Sequence, residues 1–211
     1  QNNPHFRPLP VLFEPICAGA GATARPNTPS PSSRFPLMSS LSTNAPHEPR
    51  NEVGRPAEKV ALFPGSFDPF TIGHASIVCR ALTLFDRVVV GVGYNINKRS
   101  FFTPAERVEA IRRLYAHEPR VEVEAYDDLT ADLALRVGAR FVLRGIRSVK
   151  DFEYERDLAG INHRLSDVET VLLFTEPQYA DISSTVVREL LSFGKDVSAF
   201  LPETPNNSPL T

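Results

Sequence analysis

The chain predicts an α/β fold: a Rossmann-like open parallel sheet of five strands with helices on both faces, preceded by a disordered N-terminal tail. Three observations lead there. From Lys59 onward, short apolar runs alternate with segments of helical period. One of those runs, "RVVVGVGY" at 87–94, is almost continuously apolar, as a parallel strand covered on both sides should be. Residues 1–57 instead hold eleven of the nineteen prolines, with Ser, Asn and Thr clusters and no sustained period of 2 or 3.6. Such a stretch cannot bury enough apolar surface to offset chain entropy. The expected organisation is therefore a Pro/Ser-rich extension over 1–57, expected to be dispensable, one domain over 58–203 and a short C-terminal tail over 204–211.

The first strand is "KVALF" at 59–63, and "HASIVCRALTLF" then sets Ile77, Val78, Ala81, Leu82 and Phe85 on one helical face. After the strand at 87–94, Thr103, Pro104 and Glu106 supply the N-cap, N1 and N3 of a capping box, opening a helix through "ERVEAIRRLYAH". The alternation continues with strand "VEVEAY", helix "ADLALRV" stopped by Gly138, and strand "FVLRG". Helix "DFEYERDLAGINHRL", strand "TVLLF" and helix "STVVRELLSF", stopped by Gly194, complete it. In an open sheet of this kind ligands sit outside the carboxyl ends of the strands, where strand order reverses.

A formal net charge of −2 supplies no basic field, which argues against a nucleic-acid binder. No run approaches the ~20 apolar residues of a membrane span. The apolar patch "LPVLFEPICAGAGATA" is interrupted by Glu14 and Pro15, unlike a secretory signal. Two cysteines, Cys17 and Cys79, make no framework or metal pattern, so a reducing cytoplasm is the default.

Four segments at successive strand ends carry chemistry. "FPGSFDPFTIGH" at 63–74 lacks both the dinucleotide fingerprint and the Walker loop. It offers a hydroxyl at Ser66, glycines that permit close backbone approach, and His74 at the first turn of a helix, where anions are favoured. His74 alone reads equally as a group that satisfies the helix start. "NINKRSFF" adds Lys98 and Arg99; "RGIRSVKDFEYE" adds Arg144 and Arg147 flanking Gly145; "DISSTVVREL" adds Ser183, Ser184 and Thr185 at a helix N-terminus with Arg188 one turn on. Separately these are solvated charges and ordinary caps. Together, with no nucleophile and base pair among them, they describe a site that handles a polyphosphate by positioning and charge stabilisation.

"PGSFDPFTIGH" resembles the first signature of the nucleotidylyltransferase superfamily, and "ISSTVVRE" resembles its serine-rich second motif. With "RGIRSVKDFEYE" and "FGKDVSAFLPE" in order, residues 59–203 are similar to the bacterial phosphopantetheine adenylyltransferase family. The resemblance implies transfer of the adenylyl group of ATP to 4'-phosphopantetheine, with His74, Lys98 and Arg147 catalytic. It implies ATP contacts at Ser66, Phe67, His74, Gly145, Ile146, Arg147 and Glu155, and along Tyr179, Ala180, Asp181, Ile182, Ser183, Ser184 and Thr185. Acceptor contacts fall on Ser66, Lys98, Thr130 and Arg144. It further implies magnesium carried with ATP, no protein metal ligand that can be named, and a homohexamer. The chain departs from the family pattern at Ser66, usually threonine, and at Thr185, usually serine, each keeping its hydroxyl. Thr130 stands where relatives often have Leu or Met, which matters if that contact runs through the side chain. The alternatives are a sibling enzyme acting on nicotinamide or nicotinate mononucleotide, a cytidylyltransferase, or a nucleotide-binding regulatory protein without turnover.

Overall fold

In the computed structural model, which describes residues 57–95 and 99–203, all of the described elements lie in one of two compact units of the chain, the one containing Glu58–Thr211. Five strands alternate with five helices: β1 Val60–Gly65, α1 Ile72–Ala81, β2 Arg87–Gly93, α2 Pro104–Leu114, β3 Val121–Tyr126, α3 Thr130–Arg136, β4 Phe141–Ile146, α4 Val149–Ser166, β5 Glu169–Phe174 and α5 Ser184–Ser192. Short 3₁₀ turns at Pro177–Tyr179 and Ser198–Phe200 flank α5. The expected extension over 1–57, Ala57 apart, and the tail over 204–211 lie outside the described residues, as does Lys98.

The sheet runs β3-β2-β1-β4-β5, every pair parallel. The chain winds outward from β1 through β2 and β3, then returns to the other side of β1 for β4 and β5. The order therefore reverses between β1 and β4, and the crevice at their carboxyl ends is the place a ligand should occupy. Alternation along β1 explains why both faces are covered. Ala61 and Phe63 enter a core shared with α1 and α2, which includes Ile77, Val78 and Ile111. Val60 and Leu62 face the other way, into a core with Leu133 and Ala134 of α3 and Val142 of β4. β3 is an edge strand, and the alternation in "VEVEAY" leaves Glu122 exposed between buried Val121 and Val123.

The local signals read from the sequence hold. Thr103 caps α2, its hydroxyl accepting from the Glu106 N–H (3.2 Å) while the Glu106 carboxylate accepts from the Thr103 N–H (2.8 Å). Gly138 and Gly194 follow α3 and α5 with φ of 69° and 67°, the left-handed backbone that glycine adopts most readily. The helix read through Phe85 ends sooner, at Ala81. The Thr83 hydroxyl donates to the Arg80 carbonyl (2.7 Å) and competes with the helical ladder there.

Candidate active site

β1 delivers the chain into the opening turn with little freedom to spare. A Cβ on Gly65 would stand 2.8 Å from the Phe67 ring, so only glycine fits without displacing that ring. Phe67 itself holds a φ of 47° and is buried, its ring packed on Phe63 and Phe70 with centroids 5.2 Å away and edge-on to His74 at 5.1 Å. What the turn leaves accessible is Ser66, which is exposed. Asp68 fixes the far side of the turn by accepting the N–H groups of Phe101 and Phe102, each at 2.8 Å.

His74 is the third residue of α1. Its Nδ1 accepts from the Thr71 N–H at 2.9 Å, with the Thr71 Oγ1 3.0 Å from the same nitrogen. A backbone N–H can only donate, so Nδ1 carries no proton and the neutral ring holds its hydrogen on Nε2. The structural and catalytic readings of this histidine are thus compatible. One nitrogen closes the helix start, and the other is a donor on a residue that lines the crevice. Burial, with the guanidinium charges of Arg147 and then Arg144, pushes its pKa down to about 4 from 6.5.

The unfolded ring takes up a proton near pH 6.5, whereas the folded ring does so only near 4. His74 therefore contributes full stability above pH 6.5 and loses it as pH falls toward 4. Long-range ¹H–¹⁵N spectra of the free protein are expected to show a neutral Nε2–H ring throughout pH 5–8. A titration midpoint near 6.5 would contradict the lowered pKa, and a neutral ring with its hydrogen on Nδ1 would contradict the assigned tautomer.

β4 ends opposite. Arg144 donates from Nε and Nη2 to the two carboxylate oxygens of Glu155 at 2.7 and 2.5 Å, and from Nη1 to the Pro64 carbonyl at 2.5 Å. Glu155 is the buried residue of α4, with both oxygens committed to Arg144. Arg147 is freer: Asp151 accepts its backbone N–H (3.1 Å) and lies 3.6 Å from its guanidinium, which also reaches the Ile182 carbonyl at 3.5 Å.

The serine-rich segment is tied to the opening turn. Ser183 caps α5 by accepting from the Val186 N–H (3.2 Å), and the Ser184 hydroxyl donates to the Pro69 carbonyl at 2.8 Å. Arg188 donates to Thr185 Oγ1 (3.1 Å) and to the Asp68 carbonyl (2.5 Å). Ser76 of α1 donates to the Glu176 carboxylate at 2.6 Å, which anchors the stretch entering the 3₁₀ turn.

These groups line a cavity of about 350 Å³ that brings together Ser66, Phe67, His74, Arg144, Gly145, Arg147, Glu155, Tyr179, Ile182, Ser183, Ser184 and Thr185. Ser66 and Arg144 also line an adjoining lobe of about 230 Å³ with Tyr126, Thr130 and Tyr154. In that lobe the Tyr126 and Thr130 hydroxyls are paired at 3.1 Å. Ala180 and Asp181 are exposed and stand outside the lining, and Ile146 is buried in the core. The Phe67 ring lies in the aromatic cluster, so its contribution to a ligand falls to its backbone. Sequence reading passed over Arg107 and Asp68. The available signal was an arginine on the apolar stripe of α2, where Arg107, Val108 and Ile111 are the buried residues.

A family model for cytidylyltransferase-like proteins matches residues 62–190. Among curated relatives, a phosphopantetheine adenylyltransferase of Phocaeicola vulgatus is 60% identical over 143 residues, covering 68% of this chain and 95% of that protein. The Porphyromonas gingivalis enzyme of the same name is 54% identical over 146 residues, with 69% and 95% covered. The chain belongs to the phosphopantetheine adenylyltransferase family. The Leuconostoc citreum member is 50% identical over 145 residues, covering 68% of this chain and 92% of its own length. Two solved structures of a bifunctional NMN adenylyltransferase/ADP ribose pyrophosphatase from Francisella tularensis share the fold, with TM-scores of 0.53 and 0.54 at 13% and 16% identity. Each match covers 68% of this chain, which spans 44% and 45% of their length. The chain thus gathers Ser66, His74, Arg144 and Arg147 around one crevice, where the strand order reverses between β1 and β4.

Proposed function

We propose that the chain transfers the adenylyl group of ATP to 4'-phosphopantetheine, giving dephospho-coenzyme A and pyrophosphate, the penultimate step of coenzyme A synthesis. The observation that supports it most is the crevice itself: a neutral imidazole donor, three guanidiniums and a hydroxyl-rich helix start line it, in a chain 60% identical to an enzyme of that name. The acceptor phosphate is already an anionic nucleophile, so its attack on the α-phosphorus needs no general base. A P–O bond forms to the acceptor, the bond to the pyrophosphate oxygen breaks, and charge grows on the α-phosphate oxygens. Nε2–H of His74 and the Arg147 guanidinium are donors for that charge. Lys98, outside the described residues, joins them in this proposal as a bridge to the reacting phosphate.

The two lobes divide the substrates. ATP is assigned to the cavity lined by the serine-rich segment, and the acceptor to the side of Arg144 and Thr130. Magnesium would enter with ATP, held by triphosphate oxygens and water, and would screen the triphosphate charge. Among the described residues no group of three His, Cys, Asp or Glu side chains is placed to hold a metal ion. No helix among them is long and apolar enough to cross a membrane, and a cytoplasmic setting belongs to the proposal. So do the domain over 58–203 and a homohexamer. Support for self-association comes from apolar side chains exposed on and beside α4: Val149 (75%), Tyr154 (62%) and Phe174 (74%).

The test offers the protein each acceptor, phosphopantetheine or nicotinamide mononucleotide, with ATP or CTP and magnesium, and identifies products by mass spectrometry. Dephospho-coenzyme A from ATP alone is the expected product. A dinucleotide, a cytidylyl product, or no pyrophosphate at all would replace the proposal with one of its rivals.

A further inference from the structure

Arg107 lines a cavity beside the His74 crevice with Ser66, Thr130 and Arg188, yet it is among the most buried charges described, at 4% exposure. Its Nε donates to the Phe102 carbonyl (3.2 Å), and its Nη1 donates to the carbonyls of Gly93 (3.2 Å) and Ser66. A guanidinium withdrawn from water is costly unless its donors are met. Here carbonyl oxygens from three separate segments meet them: the end of β2, the loop before α2 and the opening turn. Asp68 supplies the compensating charge from nearby, while its own carboxylate is engaged by the Phe101 and Phe102 N–H groups.

The bond to Ser66 has a directional effect. A trans peptide is planar with its C=O and N–H opposed, so a Ser66 carbonyl held against Arg107 turns the N–H of Phe67 the opposite way. The φ of 47° at Phe67 places that residue in the left-handed region, a conformation from which successive N–H groups form anion-binding concavities. Ser66 and Phe67 both line the cavity that holds His74 and Arg147.

We propose that Arg107 is a positioning residue of this site: by holding the Ser66 carbonyl, it presents the Phe67 N–H to a phosphate of the nucleotide. The inference rests on the adenylyl-transfer reading for the identity of that nucleotide, and it names a backbone donor that the buried Phe67 ring cannot replace. Arg107→Lys keeps a cation but loses the fork that reaches three carbonyls at once, so the turn is free to rotate its peptide.

The experiment uses magnesium and ATP without any acceptor, which separates it from the choice of acceptor. In the wild-type protein the Phe67 amide proton is expected to shift downfield on ATP addition, as a charge-assisted hydrogen bond forms. In Arg107→Lys that shift should disappear, and the dissociation constant for ATP should rise roughly 10- to 10²-fold, as for the loss of one hydrogen bond to a charged group. Phosphopantetheine binding, measured separately without ATP, should change little. A merely structural arginine would lower the melting temperature of Arg107→Lys and leave the ATP affinity of the folded protein intact. That result, or a wild-type Phe67 amide unmoved by ATP, would overturn the proposal. The wild-type measurement decides by itself if the variant does not fold.

Discussion

Replacing His74 with alanine is expected to lower the single-turnover rate of pyrophosphate formation by roughly 10² to 10³, the usual loss for one donor aimed at developing charge. ATP binding should weaken far less, because ground-state phosphates retain Arg147 and the start of α1. The structure adds a second loss. Nδ1 of His74 accepts the Thr71 N–H that opens α1, so the alanine variant should also be less stable by about 0.5–2 kcal/mol, as for other lost caps. The two losses separate in His74→Gln. Glutamine at this helical position accepts from the N-cap N–H in a capping box, so it should recover most of the stability while turnover stays low. Near-normal turnover in a folded alanine variant would reduce His74 to its helix-start role.

Arg144→Ala is expected to produce the largest stability effect. Glu155 is 6% exposed, and removing its bidentate partner leaves a buried carboxylate unpaired. The loss should be about 3 kcal/mol, the lower end for breaking a buried pair, since the Arg144 side chain keeps 26% exposure. The Michaelis constant for phosphopantetheine should rise about 10- to 10²-fold, in keeping with a lost hydrogen bond to a charged group. That for ATP should move much less. The double variant Arg144→Ala with Glu155→Gln removes the stranded charge, so its melting temperature should recover while the phosphopantetheine defect remains. Equal effects on the two Michaelis constants would show that the two lobes are assigned to the wrong substrates.

The parts of this molecule legible in its sequence are those whose cause is local. The capping box of Thr103 and Glu106, the stops at Gly138 and Gly194 and the apolar run of β2 each announce themselves within a few residues. Strand-end placement followed from the alternation alone, which brought Ser66, His74, Gly145, Arg147 and the serine-rich segment into one crevice. What the sequence concealed depends on long-range pairing. Glu155 reads as a charge at the start of an exposed helix, and only the sheet register beneath it reveals that both its oxygens belong to Arg144. Arg107 reads as an amphipathic-helix arginine until the carbonyls of Ser66, Gly93 and Phe102 are seen around it. His74 presented two readings because sequence cannot show which nitrogen faces which neighbour, and the Thr71 N–H decides it.

Adenylyl transfer at this crevice is tested most directly by following isotopic label from ATP. With phosphopantetheine and magnesium present, phosphorus-32 at the α-position should appear in the pantetheine product together with the adenosine. Phosphorus-32 at the γ-position should appear only in pyrophosphate. A γ-label on the pantetheine product, or an α-label released solely as AMP, would show that the protein transfers a different group or none, and would contradict the account.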